Sequence, residues 1–263
     1  KGYADSRLSW LSERDQGQSD ALNKGLQRAS GDIITYLNSD DLLLPGAVAF
    51  AVQYFEQHPD ADLLYGDGYY VDADGKRLMP FQSAPFDLAL AILNGQDLAQ
   101  PGTFWRRTVS DQIGQFEVGF HYRMDFDYWL RAALAGFRLC YVPGERAVYR
   151  LHGESKTVSQ RATFVKDWEV IIRRLFGRDD LPANLRALEA EAFNVIDWWK
   201  AKNLWLDANY AEARPVLRRF LRDHKPARRV LAATMLFDSY AHTPLTKMLT
   251  GLLRRTTGVE IFR

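Results

Sequence analysis

Residues 31–41 combine a short apolar run with two adjacent carboxylates, in the order Gly-Asp-Ile-Ile-Thr-Tyr-Leu-Asn-Ser-Asp-Asp. An apolar run of this length between a glycine and turn-forming residues predicts a buried strand over residues 32–37. Open α/β sheets bind ligands beyond the carboxyl ends of their strands, so Asp40 and Asp41 lie where a ligand site is expected. Carboxylate oxygens suit Mg²⁺ or Mn²⁺, which can bridge to a diphosphate. A solvated turn remains the alternative, because Asn-Ser-Asp-Asp is also favourable turn chemistry.

The preceding segment, residues 12–25, is Ser-Glu-Arg-Asp-Gln-Gly-Gln-Ser-Asp-Ala-Leu-Asn-Lys-Gly. It opens a predicted helix over 19–29, with Ser19 as N-cap. Together with the acidic pair, this pattern resembles the family 2 glycosyltransferases of the GT-A fold. The resemblance implies that Asp41 binds the divalent metal that holds the donor diphosphate, with Asp40 beside the donor ribose or sugar. It also implies a donor pocket lined by Asp15, Gln18, Asn23, Lys24 and Gly25.

Residues 124–131, Met-Asp-Phe-Asp-Tyr-Trp-Leu-Arg, resemble the same family's Glu-Asp-x-Asp-x-Trp-Leu-Arg motif at the start of the acceptor-side helix. The resemblance implies that Asp125 is the general base, which takes a proton from the acceptor hydroxyl as that oxygen attacks the anomeric carbon. Met124 departs from the family pattern, which has Glu there. Helix capping by Asp125 and Asp127 is the alternative interpretation. Asp127 is also expected to pair with Arg131, four residues further on.

Residues 149–157, Tyr-Arg-Leu-His-Gly-Glu-Ser-Lys-Thr, resemble the family's Arg-x-His-x-x-Ser-x-Thr segment, which closes over the donor diphosphate. The resemblance implies that His152 completes the metal shell or contacts phosphate, although a lone histidine is more often structural. Arg150 and Lys156 are expected to bind the donor and stabilise the leaving diphosphate electrostatically. Asp67, at a predicted strand end, is expected to face the donor sugar.

Charge is unevenly distributed along the chain, although the formal net charge is only +1. Between Arg214 and Arg229 there are seven cations and one anion, Asp223. The simpler interpretation is a solvated helical face, and the sharper one is a surface for anionic lipid or a phosphorylated acceptor. No nucleic-acid-binding motif accompanies this charge, so no nucleic-acid partner is expected. Cys140 is the only cysteine, which excludes an internal disulfide.

Strand signals stop part-way along the chain, and helical patterns follow. For the segment with strand signals, residues 1–158, the resemblance implies an α/β, GT-A-like (Rossmann-related) nucleotide-sugar domain, and the helical patterns predict an α-helical region over 159–263. A strand is predicted at Leu8–Leu11, and shorter strands at 63–65 and 69–71. Members of the family usually carry two strands before this point, so the domain is expected to lack its first strands.

The resemblance implies an inverting, metal-dependent glycosyltransferase that moves a sugar from a nucleoside-diphosphate-sugar to a hydroxyl acceptor, with Mn²⁺ or Mg²⁺ as cofactor. By family analogy, the acceptor belongs to bacterial cell-surface polysaccharide or lipid-linked saccharide synthesis. Two alternatives remain: a sugar nucleotidyltransferase, which would want a glycine-rich phosphate loop, and a non-catalytic nucleotide-sugar-binding module. The expected location is the cytoplasm, with peripheral contact at the inner face of the membrane.

Overall fold

The computed structural model describes residues 5–96, 98–151, 161–241, 245–246 and 248. The chain divides into two compact units. The first comprises the residues up to Leu88 together with 97–152, and the second comprises 89–96 together with the residues from 153 onward. Within the described ranges, no helix has both the length and the apolar character needed to cross a membrane.

A six-stranded mixed sheet organises the first unit. Its strands are β1 (Ile33–Ile34), β2 (Leu42–Leu43), β3 (Leu63–Val71), β4 (Arg77–Phe81), β5 (Phe104–Arg106) and β6 (Leu139–Arg150). The order across the sheet is β1-β5-β3-β6-β2, and β4 also pairs with β3. β3 and β6 run parallel, whereas the other pairings are antiparallel. Leu63, Leu64 and Tyr65 of β3 are fully buried, as expected for a central strand covered on both faces.

Ten helices are described. Those before the last strand are α1 (Gln18–Arg28), α2 (Ala47–Gln57), α3 (Leu88–Asn94), α4 (Arg107–Ile113) and α5 (Met124–Leu134). Those after it are α6 (Arg161–Phe176), α7 (Ala183–Arg186), α8 (Glu189–Leu206), α9 (Tyr210–Phe220) and α10 (Pro226–Ala241). Nearly all of α3 belongs to the second unit, since that unit includes residues 89–96.

A bulged pairing joins β3 to β6 where the sequence predicted separate short strands. The register shifts on either side of Asp67. Gly66 and Gly68 permit these shifts because β6 lies directly against their backbones. A Cβ on Gly66 would lie 2.3 Å from Nη1 of Arg146, and a Cβ on Gly68 would lie 2.2 Å from the carbonyl oxygen of Ala147. The glycines interrupt the apolar pattern without interrupting the strand, so β3 is one strand of nine residues.

The strand predicted at Leu8–Leu11 is absent from the structure. These residues are exposed, with Trp10 at 85% of its maximum accessibility. None of the described strands pairs with them. An apolar alternating pattern alone does not make a strand, because the backbone groups need a partner edge.

The tryptophans of the second unit form its core. Trp198 and Trp205 of α8 are buried with Leu217 and Phe220 of α9 and Met235 of α10. The rings of Trp198 and Phe220 meet edge to face, with centroids 5.1 Å apart. Trp198 and Trp205 are therefore core residues of the second unit.

Most of the basic residues between Arg214 and Arg229 make contacts within the second unit. Arg219 pairs with Asp197 at 3.1 Å, Lys225 with Glu191 at 2.6 Å, and Arg228 with Asp223 at 3.5 Å. The Arg214 side chain donates to Oγ of Ser239 at 3.1 Å and lies over the Tyr240 ring. Arg218 donates to the Tyr240 hydroxyl. The free cationic charge is therefore smaller than the sequence count indicates.

Candidate functional site

An acidic turn, residues Asn38–Asp41, lies between β1 and β2. Its backbone closes through a hydrogen bond from the Asp41 amide to the Asn38 carbonyl, at 3.2 Å. Pairing of Leu42 with Val148 fixes the exit of the turn against β6. Asp40 is half-buried, whereas Asp41 is only 4% exposed. The turn is therefore not simply solvated, because one of its two carboxylates is taken out of water.

The Asp41 carboxylate is held from two sides. Its Oδ1 accepts a hydrogen bond from the backbone N–H of Arg150 at 3.1 Å, and its Oδ2 accepts one from Nδ2 of Asn38 at 3.1 Å. Burial raises the pKa of Asp41, and these two hydrogen bonds oppose the rise. Each carboxylate oxygen has two lone pairs, so each retains capacity for one further partner.

This donor set fits a hard divalent cation. A buried carboxylate gains most from a positive ligand, and Mg²⁺ or Mn²⁺ binds through one or two carboxylates together with water and phosphate oxygens. Within the described residues no cluster of three metal-ligating side chains occurs. The predicted metal ligand Asp41 and its neighbour Asp40 are adjacent carboxylates of the acidic turn, and the predicted ligand His152 lies outside the described residues.

Asn38 links the acidic turn to two other segments. Its Oδ1 accepts from Nε2 of Gln18 at 2.8 Å, and its Nδ2 also donates to Oε1 of Gln100 at 3.1 Å. Nε2 of Gln100 in turn donates to the carbonyl of Tyr36 at 2.7 Å. Sequence reasoning treated Asn38 as a turn former only. The side-chain amide of Asn38, two residues before Asp40, is the sequence signal for this second role.

The start of α1 lies between the acidic turn and the start of α5. Gln18 reaches the turn through Asn38, and the hydroxyl of Ser19 contacts Sδ of Met124 at 3.0 Å and the carbonyl of Phe120 at 3.2 Å. The prediction that Ser19 caps α1 is wrong, because Gly17 occupies that position and Ser19 faces α5 instead. Met124, which departs from the family pattern, supplies the thioether for this contact.

Asp125 occupies the first turn of α5 and is half-buried. Its Oδ1 accepts a hydrogen bond from the Phe126 amide at 2.9 Å. Burial raises the pKa of Asp125, while that hydrogen bond and the nearby Arg123 cation lower it in part. A carboxylate with a raised pKa is a better proton acceptor near neutral pH than an exposed one.

Asp127 pairs with Arg131, as predicted from their spacing. The Nε–Oδ2 distance is 2.8 Å, and Asp127 is buried. Arg131 also donates to the carbonyls of Ile113 and Gln115, at 2.6 and 2.9 Å. Through Arg131, this pair anchors α5 against the last residue of α4 and the segment that follows it, so it orients the helix that carries Asp125.

Several predicted donor-pocket residues make contacts within the protein. The Asn23 side chain bonds both backbone groups of Phe116 at 2.8 Å. Nζ of Lys24 donates to the carbonyl of Arg14 at 2.6 Å. Asp15 accepts from the amide of Gly17 at 2.9 Å, an Asx-type turn before α1. A Cβ on the remaining member, the exposed Gly25, would meet nothing within 4 Å.

Asp67 lies in a separate cluster on β3. Its carboxylate accepts hydrogen bonds from the amides of Ser83 and Gly144, at 2.9 and 2.8 Å, and from the Tyr141 hydroxyl at 2.9 Å. Along β3 it precedes the residue opposite Arg150 by four positions, roughly 13 Å of strand. The structure does not bring Asp67 to the acidic turn.

Of the residues predicted to contact phosphate, only Arg150 lies within the described part of the chain. Arg150, the last residue of β6, lies beside the acidic turn, and its guanidinium donates to backbone carbonyls of two turns. Lys156 lies outside the described residues, as does His152. The described part of the site therefore comprises the acidic turn, the start of α1, the loop at Gln100, the start of α5 and the end of β6.

Comparison with known proteins decides the family. The model of Glycosyltransferase like family 2 matches residues 2–176. The chain belongs to this family. It is 32% identical over 128 residues to an uncharacterized glycosyltransferase of Mycobacterium tuberculosis, covering 48% of this chain and 47% of the relative. It is 27% identical over 146 residues to YwdF, an uncharacterized glycosyltransferase of Bacillus subtilis, covering 52% of each.

This glycosyltransferase family member thus spans about half the length of those two curated relatives. A third relative is the O-antigen biosynthesis protein RfbC of Myxococcus xanthus, which is 30% identical over 132 residues. That match covers 50% of this chain and 10% of RfbC.

Solved structures agree with the family in fold. TarS 1–349 of S. aureus, in complex with UDP-GlcNAc, has a TM-score of 0.56 at 16% identity, covering 92% of this chain and 74% of that chain. The mannosyltransferase PcManGT of Pyrobaculum calidifontis, in complex with GDP-Man and Mn²⁺, has a TM-score of 0.50 at 15% identity, covering 90% and 64%. At such identities the likeness concerns the fold, which is that of the GT-A glycosyltransferases.

Proposed function

We propose that this protein transfers a sugar from a nucleoside-diphosphate-sugar to an acceptor hydroxyl, with inversion and with the help of a divalent cation. The observation that carries the proposal is the position of α1. Gln18 and Ser19, adjacent in its first turn, contact the acidic turn and the start of α5 respectively. The proposed metal ligand Asp41 and the proposed general base Asp125 therefore belong to two segments that contact the same helix terminus.

Asp125 is the proposed general base. Its carboxylate removes the acceptor's hydroxyl proton as that oxygen forms a bond to the anomeric carbon. The bond from the anomeric carbon to the diphosphate oxygen breaks in the same step, and its electron pair leaves with the nucleoside diphosphate. Such a base contributes on the order of a hundredfold or more to the rate, and a pKa above the usual carboxylate range suits it to this role.

Asp41, with Asp40 beside it, is the proposed site for Mn²⁺ or Mg²⁺. The cation, when bound, supplies positive charge against the leaving diphosphate. The raised pKa of Asp41 supports this assignment, because a buried carboxylate without a cation is held in an unfavourable ionised state. PcManGT, the neighbour in complex with Mn²⁺, offers a parallel of fold.

The relatives and structural neighbours support a chemical class for the donor and for the acceptor. The neighbouring structures contain UDP-GlcNAc and GDP-Man, and one relative is named for O-antigen biosynthesis. A nucleotide-sugar donor and a saccharide or lipid-linked acceptor at the bacterial cell surface are therefore proposed. Peripheral contact with anionic lipid is proposed through Arg222 and Arg229, which are exposed and have no ion-pair partner among the described side chains.

A donor screen tests the proposal. The protein is incubated with UDP-, GDP- and dTDP-sugars, a saccharide acceptor mixture and Mn²⁺, and released nucleoside diphosphate is measured. We expect acceptor-dependent release of diphosphate that stops when the cation is chelated. Release of pyrophosphate from a nucleoside triphosphate and a sugar phosphate would instead identify a nucleotidyltransferase. Binding of a nucleotide-sugar with no turnover would identify a binding module.

A further inference from the structure

The guanidinium of Arg150 bridges two turns of the first unit. Arg150 ends β6, and its register partner Val71 ends β3 immediately before the β3–β4 turn. Nε donates to the backbone carbonyl of Asp40 at 3.1 Å. Nη1 donates to the carbonyls of Asp72 and Ala73, at 3.2 and 3.1 Å. The same residue's backbone N–H holds the Asp41 carboxylate at 3.1 Å.

The β3–β4 turn is itself rigid enough to serve as an anchor. Oδ1 of Asp72 accepts from the amides of Asp74 and Lys76, at 3.1 and 2.8 Å. The amide of Gly75 closes the turn onto the Asp72 carbonyl at 3.0 Å. The carbonyls that Arg150 contacts therefore belong to a turn that is held by its own hydrogen bonds.

This geometry disfavours the sequence-based role of Arg150 as a ligand of the leaving diphosphate. Arginine carries its donors in a planar fork, so the direction of one donor constrains the others. Its Nε and Nη1 are directed at backbone carbonyls on two sides. An anion using these two nitrogens would require the carbonyl contacts to break.

We propose that Arg150 is a positioning residue, which ties the acidic turn to the β3–β4 turn and so fixes the direction of Asp40 and Asp41. The inference rests on the proposed function only for what the acidic turn binds. Lysine cannot replace arginine here, because a single ammonium on a flexible stem does not span carbonyls of both turns.

Hydrogen exchange of the metal-free protein tests the positioning role without any ligand or activity. In Arg150→Lys, the amides of Asp41 and Leu44 in the acidic-turn segment, and of Asp72 and Gly75 in the other turn, should exchange at least tenfold faster. Arg178→Lys is the matched control, because Arg178 is an exposed arginine that pairs with Asp180. Unchanged exchange in Arg150→Lys would overturn the proposal.

Binding of Mn²⁺ without nucleotide is the second measurement. Residues that orient metal ligands typically contribute ten- to a hundredfold to affinity, so Arg150→Lys should bind Mn²⁺ at least tenfold more weakly. Asp72→Ala, which loosens the anchor turn from the other end, should weaken it in the same direction and serves if Arg150→Lys does not fold. If Arg150→Lys has normal amide exchange and normal Mn²⁺ affinity but binds UDP or GDP more weakly, the proposal is overturned. Arg150 would then be a phosphate ligand, as the sequence predicted. If the wild-type protein binds no Mn²⁺, the proposed metal site is refuted. The positioning role of Arg150 is then tested by the hydrogen-exchange measurement alone.

Discussion

Three carboxylates that the sequence placed in one site have different surroundings in the structure. Asp41 is buried with hydrogen bonds from one backbone and one side-chain donor, and its pKa is raised. Asp125 is half-buried with a raised pKa at the start of α5. Asp67 accepts hydrogen bonds from three donors: the amide of Ser83, which follows β4, and the amide of Gly144 and the hydroxyl of Tyr141 in β6. Burial raises the pKa of Asp41 and of Asp125, which supports these two carboxylates as functional candidates.

Replacing Asp125 by Asn should separate activity from stability. The folded-state pKa of Asp125 is raised, so its ionised form costs stability at pH values above the unfolded-state pKa. The neutral amide removes that cost, and the variant should melt at the same or a higher temperature at pH 7. Turnover should fall at least about a hundredfold with donor affinity unchanged. The wild-type rate should decline as the pH falls, with a midpoint above the usual carboxylate pKa.

Asp127→Asn is the matched control on the same helix. It breaks the pair with Arg131, so it should lower the melting temperature without shifting the pH midpoint of the rate. Equal losses of donor binding and turnover in Asp125→Asn would instead make Asp125 a pocket or folding residue.

Asp41→Ala should abolish cation-dependent donor binding. No other carboxylate in the acidic turn except Asp40 can take its place. Calorimetric titration with nucleotide-sugar, in Mn²⁺ and in a chelator, measures the effect. Asp67→Ala is the comparison: it should lower the melting temperature, since two amides and a hydroxyl lose their acceptor, while the cation dependence persists. Wild-type affinity of Asp41→Ala in Mn²⁺ would refute the metal assignment.

At the scale of elements, the site depends on strand and helix ends that meet through backbone and side-chain contacts. The β3–β6 pairing places Arg150 beside the acidic turn, and it requires close approach at Gly66. The α1 helix places Gln18 and Ser19 between two segments far apart in sequence. Glycine is therefore required at Gly66, where another backbone lies close. At Gly25 a Cβ would meet nothing within 4 Å, so packing does not require glycine there.

Two glycine substitutions test this distinction. Gly66→Ala should cost at least about 2 kcal/mol in the free energy of unfolding, because its Cβ would lie 2.8 Å from the carbonyl oxygen of Val142. Gly25→Ala should raise that free energy by about 0.5–1 kcal/mol, because alanine is favoured within a helix and nothing crowds its Cβ. Urea denaturation measures both. Loss of donor binding in a well-folded Gly25→Ala would show that Gly25 contacts the donor after all.

At the scale of the whole molecule, the two units differ in how their charges are used. Ion pairs and carbonyl contacts within the second unit occupy most of its basic segment. The proposed lipid contact therefore rests on few cations, each contributing on the order of 1 kcal/mol near an anionic surface. Such binding is weak and sensitive to salt.

Co-sedimentation with liposomes measures that contact. We expect binding to anionic vesicles at low salt, release at high salt, and no binding to neutral vesicles. Charge reversal of Arg222 and Arg229 together should remove it, whereas reversal of Arg178, which is paired with Asp180, should have little effect. An absence of binding to anionic vesicles at low salt would contradict the lipid contact without affecting the proposed chemistry.

The sequence by itself determined the class of fold, the family and the segments that carry the candidate site, because ordered motifs and apolar periodicity are local properties. It also predicted the Asp127–Arg131 pair, which depends only on helical spacing. Tertiary structure decided which side chains face one another. It merged short strands through glycine contacts, turned Ser19 toward α5, gave Asn38 its linking role and directed Arg150 at carbonyls. These outcomes depend on residues distant in sequence, and spacing along the chain carries no information about such contacts.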